Sequence, residues 1–204
     1  NPQMKSAYNF VPGIMGLIFI LVCAMMTSVS IVREREVGTM EVLLVSPVRP
    51  VKIIFAKMIP YFVISCIVLT STLLLARFLL GVPMSGGVGG IVAISLLYLV
   101  LALSLGLLVS TIARTQVAAL LISAVVMMMP ILMLSGMLFP IENLPKFFEI
   151  VSNIIPARWY IDATRKMMIQ GVPLVAVWKD FVILLGMTVV LITVSLRKFN
   201  DKLE

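Results

Sequence analysis

Histidine is absent from all 204 residues, so neither imidazole acid–base chemistry nor a histidine metal ligand is available. Charge is scarce as well. Asp, Glu, Lys and Arg make up 12% of the chain, against about a quarter in an ordinary soluble domain. Only nine residues are acidic, and they sit in loops or at the ends of apolar runs, none at the centre of one. A proton-coupled carrier keeps a titratable group at mid-membrane, and this sequence provides none; the argument is weaker against sodium, which backbone carbonyls can hold. Paired acids or a Ser/His arrangement for intramembrane hydrolysis are also missing. The two cysteines, Cys23 and Cys66, lie far apart in separate apolar runs, which indicates neither a disulfide framework nor a metal site. There is no Gly-x-x-x-x-Gly-Lys-Ser/Thr phosphate loop. Energy for any uphill process must therefore come from another polypeptide.

What is present is apolar length. Hydrophobic residues are 61% of the chain and mean hydropathy is +1.17. Five runs have the length that a hydrocarbon core of about 30 Å demands: residues 10–32, 58–80, 89–110, 117–139 and 175–196. The expected fold is an all-α polytopic membrane bundle. The net charge of +7 sits largely at span ends, where Lys and Arg orient a membrane protein. It forms no stripe with aromatics, so nucleic-acid binding is not indicated. Arg33, Arg35, Arg49, Lys52 and Lys57 follow the first span, Arg114 lies in the turn between the third and fourth, and Arg197, Lys198 and Lys202 close the chain. With alternating spans these basic faces share one side, which makes that side cytoplasmic, the first residues outside and the C-terminus inside. The longer outer segment, with Lys146, Arg158, Arg165, Lys166 and Lys179, runs against this bias. The start Asn1-Pro2-Gln3-Met4 has no initiator and reads as a fragment. An outside start implies at least one further span upstream, six in the intact protein. No internal repeat supports an inverted-repeat carrier.

Between the first two spans lies a dense charged island, Arg33-Glu34-Arg35-Glu36-Val37-Gly38-Thr39-Met40-Glu41-Val42-Leu43-Leu44-Val45-Ser46-Pro47. Residues 37–45 read as a short amphipathic helix with Thr39 as cap, Glu41 near its positive end and Met40, Leu43 and Leu44 on one side. Such a helix suits a lever pressed by another protein; a stop-transfer flank that only fixes orientation is the plainer alternative. Outside, residues 144–155 and 159–169 read as two helices too short to span. They either dip into the outer leaflet as a re-entrant gate or lie flat with Trp159 and Tyr160 at the headgroups. In the fourth span Met127, Met128, Met129, Met133 and Met137 crowd around Pro130, either as an adaptable lining for apolar ligands or as ordinary packing. Thr70, Ser71 and Thr72 in the second span offer hydroxyl contacts between helices.

The island motif, with Lys57-x-x-Pro60-Tyr61, Ser110-Thr111-Ile112-Ala113-Arg114-Thr115-Gln116, Phe139-Pro140-Ile141, Leu144-Pro145, Pro156-Ala157-Arg158-Trp159-Tyr160 and the Arg197-Lys198-Phe199 tail, resembles the ABC type-2 transporter permeases. The resemblance covers nearly the whole chain. It implies a single permease domain of a multi-pass protein of the cell (inner) membrane, with no catalytic residues and no metal of its own. It assigns the island to a coupling helix docked on ABC ATP-binding subunits, which carry ATP and Mg. The residues so assigned are Glu36, Gly38, Thr39, Glu41 and Leu44, and Arg33, Glu34, Arg35 and Pro47 of the same island join them as coupling candidates. It further implies a second permease copy or related chain in the bilayer, with the outer helices as external gate. The candidate pathway or gate residues are Thr70, Met129, Met133, Phe139, Pro156, Trp159 and Tyr160. The expected function is export of an apolar or amphipathic substrate. A non-transporting scaffold driven by the same ATPase contact and an ion-coupled carrier are the alternatives.

Overall fold

Apolar runs of 19 to 27 residues dominate the computed structural model, which describes residues 2–38, 50–137 and 145–200. Helix α1 spans Pro2–Glu36, α2 Pro50–Phe78 and α3 Val88–Ile112. The fourth long element is composite: α4 (Gln116–Leu121), a π-helical turn (Ile122–Met127) and α5 (Met128–Leu134). Two short helices follow, α6 (Lys146–Ser152) and α7 (Pro156–Ile169), and then α8 (Trp178–Asn200) after a 3₁₀ turn at Leu174–Val177. Five stretches are long and apolar enough to cross a membrane: Phe10–Glu36, Lys52–Phe78, Val88–Ile112, Gln116–Leu134 and Leu174–Lys198. The chain is an all-α, multi-pass membrane bundle.

Helices α1 and α3 form its centre. In their most apolar windows 50% and 61% of residues are buried, against 17% in α2 and in the fourth element. The two can approach closely because Gly106 of α3 faces the backbone of Ala24 on α1; a Cβ at Gly106 would lie 2.7 Å from the Ala24 carbonyl oxygen. Lipid tails offer no hydrophobic drive for helix pairing, so small residues and hydroxyls fasten the helices. Ser28 on α1 meets Ser123 of the π turn at 3.1 Å, Cys23 meets Ser65 of α2 at 3.0 Å, and Ser195 of α8 donates to the Ser104 carbonyl at 3.1 Å.

Three local features depart from the sequence expectation. Helix α1 continues through Arg33–Glu36, and α2 begins at Pro50. Lys52 and Lys57 are therefore helical rather than part of a loop. The π turn is the second departure. Pro130 has no N–H, and its ring collides with the carbonyl four residues back, that of Val126; widening the turn over Ile122–Met127 relieves that collision. Third, α6 is shorter than residues 144–155, and α7 starts at Pro156, where the fixed φ of proline suits a first helical position.

Helix α7 is amphipathic. Ala157, Tyr160, Ile161, Thr164, Met167 and Met168 are buried, matching the side on which the sequence places Tyr160, Thr164, Met167 and Met168. Its C-terminal end meets the α2–α3 loop, where the Gly86 N–H donates to the Met167 carbonyl at 3.0 Å. No side chain fits there, since a Cβ on Gly86 would lie 2.4 Å from the Val172 carbonyl oxygen. The bundle thus has two distinct ends. One gathers the end of α1, the start of α2, the end of α3 and the start of α4; the other gathers the α2–α3 loop and the end of α7.

Candidate functional site

At the first of these ends, consecutive side chains of α1 reach three different helices. Glu34 forms an ion pair with Lys57 of α2. Arg35 donates from Nη1 to the Ser110 carbonyl at 3.0 Å, so a guanidinium from α1 caps one of the carbonyls that the end of α3 leaves open. Glu36 accepts from Gln116 Nε2 at 2.6 Å, beside the Thr115 cap of α4, whose hydroxyl takes the Ala118 N–H at 3.1 Å. Helical spacing explains the fan: successive residues point about 100° apart. Arg33 is exposed. Two residues beyond the helix, Gly38 has φ 78° and its N–H bonds the Arg35 carbonyl at 3.3 Å. Only glycine holds that backbone without strain, and it stops α1 sharply. Thr39, Glu41, Leu44 and Pro47 lie outside the described residues, as does most of the expected 37–45 helix.

The expected pathway residues fall into three places. Met129 and Met133 line an apolar cavity of about 660 Å³ together with Val125, Val126 and Pro130, and Phe148 of α6 forms its other wall. Thr70 lies elsewhere, on α2, bordering a groove with Arg77 and Met84; its hydroxyl donates to the Cys66 carbonyl at 2.8 Å. Helix α2 packs on α1 and α3, whereas the fourth element packs on another flank of α1. One copy of the chain therefore does not bring Thr70 to the methionines. Phe139 lies outside the described residues.

The third place is the bundle interior. The Tyr160 ring stacks on Tyr98 at 4.2 Å and 7° and meets Phe19 edge-on at 6.2 Å. The Tyr160 and Ser95 hydroxyls lie 3.0 Å apart, while Tyr98 donates to the Gly16 carbonyl at 3.1 Å. Trp159 is half-buried and donates from Nε1 to the Asn153 carbonyl at 2.9 Å, with the Arg158 guanidinium 5.4 Å from its ring centroid. Pro156, Trp159 and Tyr160 thus fix the corner between α6 and α7. Tyr160 to Met167 of α7, a run of about 10 Å, lies alongside the start of α3 and its leading loop, from Ser95 back to Gly86. Among the described residues no group of three or more Cys, Asp or Glu gathers as a metal site.

Residues 1–197 match the family described as ABC-2 family transporter protein. The chain belongs to the ABC-2 transporter family. It is 32% identical over 205 residues to "Probable multidrug ABC transporter permease YbhS" of Escherichia coli K12, covering 100% of this chain and 54% of that one. It is 29% identical to "Probable multidrug ABC transporter permease YbhR" of the same organism, over 99% of this chain and 55% of that one. It is also 30% identical to "ABC transporter G family member 20" of Dictyostelium discoideum, over 99% of this chain and 28% of that one. The chain spans about half the length of the bacterial relatives it matches. No solved structure matches it. For an ABC-2 protein, the side-chain fan on α1, the Tyr98–Tyr160 stack and the π turn are the features that sequence reasoning missed. The only sequence signal for the fan was the pairing of an acidic turn after the first span with Lys57, Ser110 and Gln116 at other span ends.

Proposed function

We propose that this chain is the membrane-spanning permease domain of an ATP-driven exporter. Separate ATP-binding subunits carry ATP and Mg, and a second permease copy or related chain completes the pathway. The observation that carries this reading is the fan on α1. The segment after Gly38 is the expected docking site for the ATPase, and any push on it is felt at once by α2, α3 and α4 through Glu34, Arg35 and Glu36. ATP binding then biases a two-state bundle from a distance.

In this reading the first end is cytoplasmic, and α6 with α7 dips from the opposite face as an outer gate. The side-by-side run of α7 with α3 supports a dip over a flat anchor, because a helix lying flat would not track a spanning helix for about 10 Å, two turns. The apolar cavity at Met129 and Met133 is the candidate binding surface. Its thioethers adapt to ligands of varied shape, which accords with the word multidrug in two relatives' names. The test is substrate-stimulated ATP hydrolysis and uptake of an apolar fluorescent dye by inverted vesicles holding the full-length protein and its ATPase. Dye accumulation that requires ATP, with hydrolysis rising on dye addition, is expected. ATP hydrolysis that no apolar or amphipathic compound changes, with no accumulation, would favour a mechanical scaffold instead.

A further inference from the structure

Beside the fan on α1 lies a second cavity, of about 580 Å³, between the last turns of α1 and the first turns of α2. Its polar wall is Ser30, Glu34, Lys52, Lys57 and Tyr61. Glu34 holds Lys57, whereas Lys52 is exposed and makes no ion pair among the described residues. Among the described residues the cavity therefore carries an ammonium with no carboxylate partner, and the hydroxyls of Ser30 and Tyr61 are neutral donors beside it. That combination is complementary to a phosphodiester.

The same face of α2 continues upward as an apolar groove of about 420 Å³ lined by Val63, Cys66, Ile67, Thr70, Ser71 and Leu74. Ile59 and Ile67 on this helix are 60% and 65% exposed, on an element apolar enough to cross a membrane. From Lys52 to Ile67 the helix rises about 22 Å, and from Pro60 to Ser71 about 16 Å. One leaflet's hydrocarbon is about 15 Å deep. A charged head site thus sits about one leaflet's depth, headgroup region included, below Ile67 on a continuous apolar track.

We propose that this face binds an anionic phospholipid, its phosphate at Lys52 and one acyl chain along α2 toward Ile67, as a resident lipid rather than cargo. The site lies against Glu34 and Lys57, so its occupant is placed to bias the contact by which α1 moves α2. The proposal rests on the exporter reading only for which leaflet supplies the lipid. Basic pockets between membrane helices recognise such headgroups by charge, each lysine being worth about fivefold in affinity near a surface.

The test uses the full-length protein with its partner subunits, reconstituted without ATP into nanodiscs of equimolar phosphatidylcholine and phosphatidylglycerol. Both leaflets then offer the anionic lipid, so the outcome depends neither on orientation nor on export. Native mass spectrometry counts retained lipids. The wild type is expected to retain phosphatidylglycerol over phosphatidylcholine. Lys52→Gln should cut that preference about fivefold with unchanged melting in pure phosphatidylcholine, Lys52→Arg should keep it, and Lys198→Gln, at the same end but outside the cavity, should leave it intact. Photoactivatable phosphatidylglycerol should label the peptide carrying residues 52–61 in the wild type, a readout independent of any variant. No preference in the wild type, an undiminished preference in Lys52→Gln, an equal loss in Lys198→Gln, or no label on that peptide overturns the proposal. Displacement by tail-less glycerol phosphate would overturn it in favour of a simple anion site. Clearance of the bound lipid on adding ATP and Mg would overturn it in favour of cargo.

Discussion

A single hydroxyl separates the two roles open to Tyr160. The ring is enclosed by Tyr98 and Phe19, and the hydroxyl is shared with Ser95. Tyr160→Phe keeps the stack and removes one buried hydrogen bond, so it should cost about 1 kcal/mol. Tyr160→Ala opens a cavity and should cost about 3–5 kcal/mol. Thermal unfolding of the purified protein in lipid checks both, and a core residue predicts that order. A residue that only faced the pathway would change dye selectivity and leave melting alone. Gly106 makes a sharper case, because its neighbours cannot yield. A Cβ there meets the Ala24 carbonyl oxygen at 2.7 Å and Ala24 Cα at 2.9 Å, both backbone atoms. Gly106→Ala should therefore push α1 from α3 and cost about 1–3 kcal/mol, whereas Gly186→Ala, with no atom within 4 Å of its Cβ position, should be neutral or mildly stabilising in the same melt.

At the scale of elements, the fan on α1 predicts unequal losses. The Glu36–Gln116 contact is exposed, and a double-mutant cycle with Glu36→Ala and Gln116→Ala should give a coupling of only about 0.2–1 kcal/mol. Arg35→Gln should cost more, since Arg35 is half-buried and its departure leaves the Ser110 carbonyl at the end of α3 without its donor. If coupling runs through this turn, Arg35→Gln should also lower dye-stimulated ATP hydrolysis while ATPase binding persists; full stimulation would show that α3 is moved by another contact. The elements differ in how plainly the sequence announced them. Five apolar runs and the buried side of α7 were legible, because hydropathy and 3.6-residue spacing are local properties of the chain. The extension of α1 into Arg33–Glu36 was not, because those charges are helical only with Lys57, Ser110 and Gln116 opposite them. The π turn answers a clash at Pro130 within a packed bundle, and a proline alone does not say whether a helix will kink or widen. An aromatic on an amphipathic helix looks the same whether it meets headgroups or, like Tyr160, a second tyrosine. Nor does periodicity tell which helices are neighbours, so Thr70 and Met129 could be grouped on paper and lie on different flanks of α1.

At the scale of the whole molecule, orientation turns on which basic residues are held by the protein. The first end carries Arg33, Lys52, Arg114, Arg197 and Lys198 as exposed side chains. At the opposite end, Arg165 donates from Nη2 to the Gly136 carbonyl at 3.0 Å, and Arg158 reaches the Glu149 carbonyl at 3.1 Å. Lys166 pairs with Asp162 at 2.7 Å and Asp180 at 3.4 Å. Burial works against the Lys166 ammonium, yet the two carboxylates outweigh it and hold its pKa above the ordinary value. Its contribution to stability is thus complete below the unfolded lysine pKa and is lost only as alkali carries the pH through the raised folded value. These charges serve the fold, so on the proposed orientation a segment this basic can sit on the outer side, opposite the face that the short loops assign to the cytoplasm. The arrangement predicts a definite labelling pattern. In a background of Cys23→Ala and Cys66→Ala, a single cysteine at Arg114 or at Gln170, both exposed positions, is offered an impermeant thiol reagent. In intact cells, or spheroplasts where an outer membrane intervenes, Gln170→Cys should label and Arg114→Cys should label only after the membrane is opened. The reverse pattern would place the fan on α1 outside the cell, beyond reach of any ATPase, and would remove the coupling reading together with the orientation.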